Sequence, residues 1–282
     1  MNKYPKIAVI GPGVMGEAVI AGLLRTQVTV CDHINASGPL LERGEELRQL
    51  YQINPFKDNQ LAVENADAVI LSVKPQQLPA VLNDLHGLIN KNAVVISVIA
   101  GASLNMLGSG LNHKSLIRSM PNTAAQIGES VTVWTDSSDV TESQLRLAKQ
   151  IFEALGGEVY VDDESYLDMA TALSGTGPAY VFLFMEAMID AGVHLGFPRR
   201  ISEELVYHTL RGSVDYFISK KEHPAALRND VTSPGGTSAA ALYYLEKAGF
   251  RTAISRAIWA AYERSQELGK GKQGSDPEKK VF

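Results

Sequence analysis

Ile7-Ala8-Val9-Ile10-Gly11-Pro12-Gly13-Val14-Met15-Gly16 decides the fold of the first half of the chain. Three glycines stand at Gly-x-Gly-x-x-Gly spacing, directly after a β-prone run and directly before a helical one. Gly11 permits the tight turn, Gly13 lets backbone approach a phosphate, and Gly16 lets helix and strand pack closely. Free amides at the start of the helix attract an anion. Glycines that merely punctuate a turn would not need this strand and helix around them. Gly11 to Gly16, with Pro12, Val14 and Met15 between, is therefore read as the pyrophosphate site of a nicotinamide dinucleotide. Asp32 ends the next predicted strand 21 residues after Gly11 (32 − 11), where an acid commonly accepts from the adenosine ribose. That rule favours the unphosphorylated cofactor. No arginine stands between Asp32 and Leu41, which leaves Arg25, Arg43 and Lys57 as candidates for holding a 2′-phosphate.

Outward from this turn, up to about residue 162, short β-rich runs alternate with helical patterns, the signature of a parallel sheet covered by helices. Strands are predicted at Lys6 to Ile10, Gln27 to Cys31, Ala68 to Val73, Ala93 to Ile99, Ser115 to Met120, Val131 to Thr135 and Glu158 to Val161, with a weaker one near Ile53. Runs such as Ala68-Val69-Ile70-Leu71 are apolar without alternation, as strands buried on both faces require. Pro75 to Ile89 gathers Leu78, Val81, Leu82, Leu85, Leu88 and Ile89 on one helical face, and Thr141 with Gln144 reads as a capping box. Ser72-Val73-Lys74-Pro75 and Ser97 to Gly101 follow strands, at the edge where open parallel sheets bind ligands.

After Glu164 the strand patterns end, and helices are predicted at Pro178 to Leu195, Ser202 to Ser219, Ser238 to Ala248 and Thr252 to Leu268. The fold class is α/β: a Rossmann-type doubly wound parallel sheet (1–162), then an all-α dimerisation domain (163–269) and a polar tail (270–282) read as disordered. The helices carry more apolar surface, Tyr180 to Met185 above all, than a small bundle buries. An oligomer interface is expected, with packing against the sheet domain as the alternative.

Composition narrows the partners. The 282 residues carry a formal net charge of −5 with no long basic run before the tail, which argues against nucleic acid or an anionic membrane. One cysteine, Cys31, forms no intrachain disulfide, and no two of the six histidines stand at i, i+4, so a reducing compartment and no metal are expected. The start lacks the apolar stretch of a signal peptide, and no apolar run is read as reaching the roughly 20 residues of a membrane span. A cytoplasmic protein with a small-molecule partner is expected.

Asp230-Val231-Thr232-Ser233-Pro234-Gly235-Gly236-Thr237-Ser238 ends a small-residue loop, begun at His223, that feeds the helical pattern Ala239 to Ala248. Amides around Gly235 to Ala239, with the hydroxyls of Ser233, Thr237 and Ser238, make an anion site suited to a carboxylate. A helix cap would explain Ser238 alone, not the paired glycines and three hydroxyls together.

Gly11 to Gly16, Ser72 to Pro75, Arg118-Ser119-Met120-Pro121-Asn122-Thr123, Ser174-Gly175-Thr176-Gly177-Pro178-Ala179-Tyr180 and the loop Asp230 to Glu246 follow one another in this order. Carrying them, the chain resembles the pyrroline-5-carboxylate reductase family over nearly its whole length. The resemblance implies reduction of 1-pyrroline-5-carboxylate to L-proline with NADPH or NADH, the last step of proline biosynthesis, in an intertwined dimer able to assemble further. It implies that Ser233, Gly235, Gly236, Thr237 and Ser238 bind the substrate, with the Ser238 hydroxyl near the ring nitrogen as the catalytic group. It also implies cofactor contacts from Ser72, Val73, Lys74, Pro75 and Asn122, with Asn59 at the adenosine ribose or its phosphate and Ala100 beside the nicotinamide. Ser238 replaces the family's threonine but keeps the hydroxyl. Ala124 replaces a proline and Thr176 a common serine, and neither removes a group the chemistry needs. Asp32 is the departure that matters, setting NADH against the family's frequent NADPH.

Hydride transfer to the C=N carbon of a cyclic imine needs orientation and a hydrogen bond to nitrogen more than a strong acid or a nucleophile. Consistently, the chain shows no Ser/His/Asp arrangement and no clustered carboxylate pair. β-Hydroxyacid dehydrogenases resemble the chain in the glycine turn and helical second domain. They need a catalytic lysine on that domain's first long helix, and Tyr166 to Ile189 contains none. A nucleotide-sensing regulatory protein with a dead active site is the alternative of another class, against which the intact loop of glycines and hydroxyls argues.

Overall fold

The computed structural model describes residues 4–269. Its elements run β1 Ile7–Ile10, α1 Val14–Arg25, β2 Ile34–Ser37, α2 Leu41–Tyr51, β3 Asn54–Phe56, α3 Asn59–Val63, β4 Ala68–Leu71, α4 Leu78–Asp84, β5 Val94–Ser97, α5 Leu104–Leu111, β6 Leu116–Met120, β7 Ser130–Asp136, α6 Glu142–Glu153 and β8 Gly156–Tyr160. Helices α7 Tyr166–Ala170, α8 Gly177–His194, α9 Arg199–Lys220, α10 Pro224–Asp230, α11 Thr237–Lys247 and α12 Phe250–Gly269 follow. The strands form one sheet in the order β3-β2-β1-β4-β5-β6-β7-β8.

Strands β1, β4 and β5 are buried along their whole length, which is why their sequences do not alternate. Ile7, Val9, Ile20, Leu23, Trp134 and Phe152 belong to one core cluster. Ala8, Ile10, Val69, Leu82 and Leu107 belong to a second. Alternate residues of β1 thus feed different cores, and each large side chain so buried contributes about 1.5–3 kcal/mol. The capping box at Thr141 and Gln144 starts α6.

Two strand expectations are corrected. The first concerns direction: β7 runs antiparallel to β6. Strand β6 ends at Met120 and β7 begins at Ser130, fewer residues than the dozen or so that a parallel crossover requires. The second concerns β2. Gln27 adopts φ 58°, and the Val28 amide donates back to the Leu23 carbonyl at 3.1 Å. The apolar run Val28 to Cys31 therefore closes α1 and leads into a 3-10 turn at Cys31–His33, and the strand begins only at Ile34.

The described chain forms two compact units, Gly177–Trp259 and the remainder. The division falls later than residue 163, because α7 and the π-helical turn Thr171–Gly175 stay with the sheet. The last turns of α12, from Ala260, belong to the sheet unit as well. In the helical unit, part of the stretch read as loop is α10, opened by Pro224 at its first turn and by His223, whose Nδ1 accepts from the Ala225 amide at 3.1 Å. Helices α8, α10 and α11 bury no residue, and Phe182 and Leu183 are 63% and 67% exposed.

The helical stretch Tyr166–His194 is long and apolar enough by composition to cross a membrane, with 6% of its apolar window buried. This corrects the reading that no run reaches that length. Its glycines, threonines and serine break the run to the eye without lowering the mean enough. The expected disorder of 270–282 lies outside the described residues.

Candidate active site

At the carboxyl ends of β1, β2 and β4 a cleft of about 910 Å³ is lined by Gly11 to Gly13, Gly38 to Glu46, Pro55 to Lys57, Ser72 to Lys74 and Gln77. Gly11 holds φ +88°, and a Cβ there would stand 2.5 Å from Val73 Cγ1 and 2.8 Å from the Val73 backbone nitrogen. A Cβ on Gly16 would lie 2.8 Å from both the Gly11 carbonyl and Ser72 Oγ. A Cβ on Gly13 would meet no protein atom within 4 Å. Gly13 precedes α1 with no side-chain cap, so the first amides of the helix face open space. These residues fit a dinucleotide pyrophosphate: two glycines make the turn, and the third leaves room for the ligand.

The cleft brings together Gly11, Pro12, Gly13, Ser72, Val73 and Lys74 of the expected contacts. Ser72 braces the turn, donating to the Gly11 carbonyl at 2.8 Å. Val14 is exposed, Met15 packs against the core, and Pro75 opens a 3-10 turn. Asn59 and Asn122 make protein contacts instead of lining the cleft. Asn59 accepts from the Ser37 hydroxyl and donates to Asp84 at 2.8 Å. Asn122 accepts from the Ala124 amide at 3.0 Å, capping a turn. Ala100 lies in the loop after β5, next to Gly101 at φ +75°.

Asp32 is the correction at the site. Because Ile7 pairs with Ile34 and Ile10 with Ser37, Asp32 lies at the amino end of the sheet, opposite the cleft. Its carbonyl accepts from Asn54 at 3.0 Å. The ribose contact, and the NADH reading drawn from it, lose their geometric basis. Ser37 ends β2, its carbonyl accepting from the Gly11 amide at 2.8 Å. The cleft wall that follows, Gly38 to Glu46, was missed as a wall, although Arg43 and Lys57 were singled out. Its signal was the turn-forming Ser37-Gly38-Pro39 directly after Ile34.

Arg43 crosses this wall. Its Nε donates to the Pro12 carbonyl at 3.2 Å, Nη1 to Glu46 at 2.7 Å and Nη2 to Glu17. Hydrogen bonding to Glu46 holds its pKa above the ordinary value against desolvation, with Glu17 adding to it. Burial, then the hydrogen bond to Glu17 at 2.9 Å, raises the Tyr51 phenol. Elsewhere in the sheet unit the buried Arg118 pairs with Glu164 at 3.0 Å and Asp168 at 2.7 Å. Asp168 also accepts from Ser265 at 2.9 Å.

In the helical unit the loop 231–236 joins α10 to α11. Gly235 holds φ +71°, and a Cβ on Gly236 would lie 3.1 Å from the Ser233 carbonyl. Helix α11 has no side-chain cap, so Ser238 is not spent on capping. Among the described residues, the Ser233, Thr237 and Ser238 hydroxyls make no hydrogen bond. Only Thr232 is engaged, donating to the Arg228 carbonyl at 2.6 Å. Three free hydroxyls and the leading amides of a helix thus stand in one turn and a half.

A Rossmann-type sheet whose glycine turn has room for a pyrophosphate, with a helical unit whose loop leaves hydroxyls and helix amides free, defines a two-part nicotinamide-dependent oxidoreductase. Known proteins match both parts. The family model for pyrroline-5-carboxylate reductase dimerisation matches residues 164–268, and that for NADP oxidoreductase, coenzyme F420-dependent, matches 6–101. Pyrroline-5-carboxylate reductase of Synechocystis sp. is 42% identical over 265 residues, covering 94% of this chain and 98% of that protein. The Arabidopsis thaliana enzyme is 36% identical, covering 93% and 95%. The crystal structure of Plasmodium falciparum pyrroline carboxylate reductase with NADP bound is similar at a TM-score of 0.86 and 30% identity, covering 94% of this chain and 98% of that one. The chain belongs to the pyrroline-5-carboxylate reductase family.

Proposed function

We propose that the chain reduces 1-pyrroline-5-carboxylate to L-proline by hydride transfer from NADPH, the last step of proline biosynthesis. The observation that carries this reading is the loop Ser233 to Ser238, whose hydroxyls and helix amides are unused by the fold. Bound NADPH supplies the hydride. Gly11, Pro12, Gly13, Val14, Met15 and Gly16 hold its pyrophosphate, with Ser72, Val73, Lys74 and Pro75 at the adjoining strand end. The family's positions imply contacts from Asn59, Ala100 and Asn122 as well, for which Asn59 and Asn122 would exchange the protein hydrogen bonds they now make. Ser37, not an acid, ends β2, which supports the phosphorylated cofactor, with NADH a poorer alternative.

Ser233, Gly235, Gly236 and Thr237 hold the substrate carboxylate on amides and hydroxyls. The Ser238 hydroxyl oxygen accepts a hydrogen bond from the protonated ring nitrogen, keeping the imine oriented while the C=N carbon accepts the hydride. No nucleophile is needed: orientation and the hydrogen bond at nitrogen are what the chain's residues supply.

The exposed apolar surface of α8 is covered by a second copy rather than by lipid, and a homodimer is the smallest assembly that does so. The match to a dimerisation model from residue 164 supports this, as it supports a functional division near 163. A single cysteine supports a reducing cytoplasm, and the net charge of −5 supports a small-molecule partner over nucleic acid. The deciding assay follows NADPH and NADH oxidation with 1-pyrroline-5-carboxylate, with a β-keto acid and a semialdehyde acid as controls. Turnover of the cyclic imine alone is expected. Failure to turn it over overturns the assignment.

A further inference from the structure

The cofactor cleft contains a charge arrangement that the reaction does not explain. Arg43 stands on the first turn of α2, in the wall that follows β2, where a Rossmann fold meets the adenosine ribose. Each of its three nitrogens already has a partner: the Pro12 carbonyl, Glu46 and Glu17. One cation between two carboxylates gives the cluster a net charge of −1 (1 − 2). The two arms are held unequally. Glu17 is 27% exposed and accepts from the Tyr51 hydroxyl through its other oxygen, whereas Glu46 is 62% exposed and held by Arg43 alone. Glu42 and Glu45 line the same wall.

NADPH differs from NADH by one phosphate on the adenosine ribose, which brings about −1.5 to −2 charges at neutral pH. A free arginine at this position favours the phosphorylated form. An arginine already neutralised on two sides does so much less. We propose that Glu46 is a specificity-determining residue, which competes with the 2′-phosphate for Arg43 and so keeps the preference for NADPH over NADH small. The exposed i,i+3 pair adds little stability, so Glu46 acts through its charge beside the phosphate, while Glu17 and Tyr51 hold the far edge of the guanidinium in place. This rests on the reading that the cleft takes NADPH with its adenosine end beyond β2.

The test is direct binding, read by nucleotide fluorescence on the purified full chain without imine, at low and high salt. Wild type, Glu46→Gln and Arg43→Met are each titrated with NADPH and with NADH. Removing one unit charge beside a doubly charged group in a water-like dielectric changes affinity by roughly three- to tenfold. Glu46→Gln is therefore expected to tighten NADPH by that factor, to leave NADH within about twofold, and to lose most of the gain at high salt. Arg43→Met is expected to move the NADPH-to-NADH ratio the opposite way. Equal shifts for both nucleotides in Glu46→Gln, or an unchanged ratio in Arg43→Met, overturn the proposal while leaving the cofactor site intact. Wild type binding neither nucleotide overturns the cofactor reading, and the proposal with it.

Discussion

Gly13→Ala separates binding from folding more cleanly than any other change in the glycine turn. The added methyl meets no protein atom within 4 Å, and φ −75°, ψ −159° at Gly13 is open to any residue. Glycine is only modestly better than alanine before a helix, so the apo protein should lose less than about 1 kcal/mol. That corresponds to a Tm shift of roughly 2–4 °C in a chain of this size. The methyl does, however, enter the space through which a pyrophosphate reaches the first amides of α1. A charge-assisted hydrogen bond lost there costs about 1.5–3 kcal/mol, or roughly 10- to 100-fold in affinity. Calorimetry of the apo protein and NADPH titration, run on the same preparation, check the two halves. NADPH binding equal to wild type refutes the close approach at Gly13, and a large fall in Tm refutes the claim that the space is empty. Gly16→Ala is the control, because its methyl would press on the Gly11 carbonyl and should lower both.

Four further outcomes follow from other parts of the molecule. Ser238→Ala should lower kcat/KM with 1-pyrroline-5-carboxylate by roughly 10²-fold while leaving NADPH affinity unchanged, and a wild-type value removes its role. Arg118→Met leaves Glu164 and Asp168 without their cation, which costs about 3 kcal/mol at the low end for a broken buried pair and should lower Tm by roughly 6–12 °C in calorimetry. Tyr51 should ionise above the ordinary phenol value in a phenolate absorbance titration, and Glu17→Gln should bring it part of the way back. Because the folded-state value is raised, its contribution to stability is complete below the unfolded value of about 10 and is lost as pH rises through the folded one. Phe182→Glu and Leu183→Glu should dissociate the assembly in sedimentation, and an unchanged sedimentation coefficient excludes α8 from the interface.

The parts of the fold that were legible in sequence are those where local pattern and tertiary role coincide. The non-alternating strands β1, β4 and β5 and the capping box of α6 are set by burial and capping, which leave marks at fixed spacing, and the four long helices of the second half show as helical patterns too long for strands. Strand β2 was illegible because the most β-prone residues after α1, Val28 and Val30, are used to close the helix, while the strand itself has only Ile34 as a strong β-former. From that one slip came the misplacement of Asp32, since a fixed count from the glycine turn assumes a short connection. The reversal at β7 was legible in length alone, and was passed over because pairing direction leaves no mark on composition. Of the candidate site, the glycine turn and the Ser233 to Ser238 loop were readable because each needs unusual residue types. The Arg43 cluster was not, because Glu17, Arg43 and Tyr51 lie far apart in sequence and meet only through packing.

The return of the last turns of α12 to the sheet unit has a consequence for synthesis. Ser265 reaches Asp168, and a Cβ on Gly101 would stand 2.7 Å from the Gly269 amide nitrogen. The nucleotide-binding unit therefore includes residues made after the whole helical unit. As the chain leaves the ribosome, the sheet can assemble early, but its Arg118 cluster stays open to water until the helical unit and the last turns of α12 have emerged as well. A ribosome-stalled chain ending before Ala260 would carry a folded sheet with an unfinished charged seam, marked by protease sensitivity around Asp163 to Ala170.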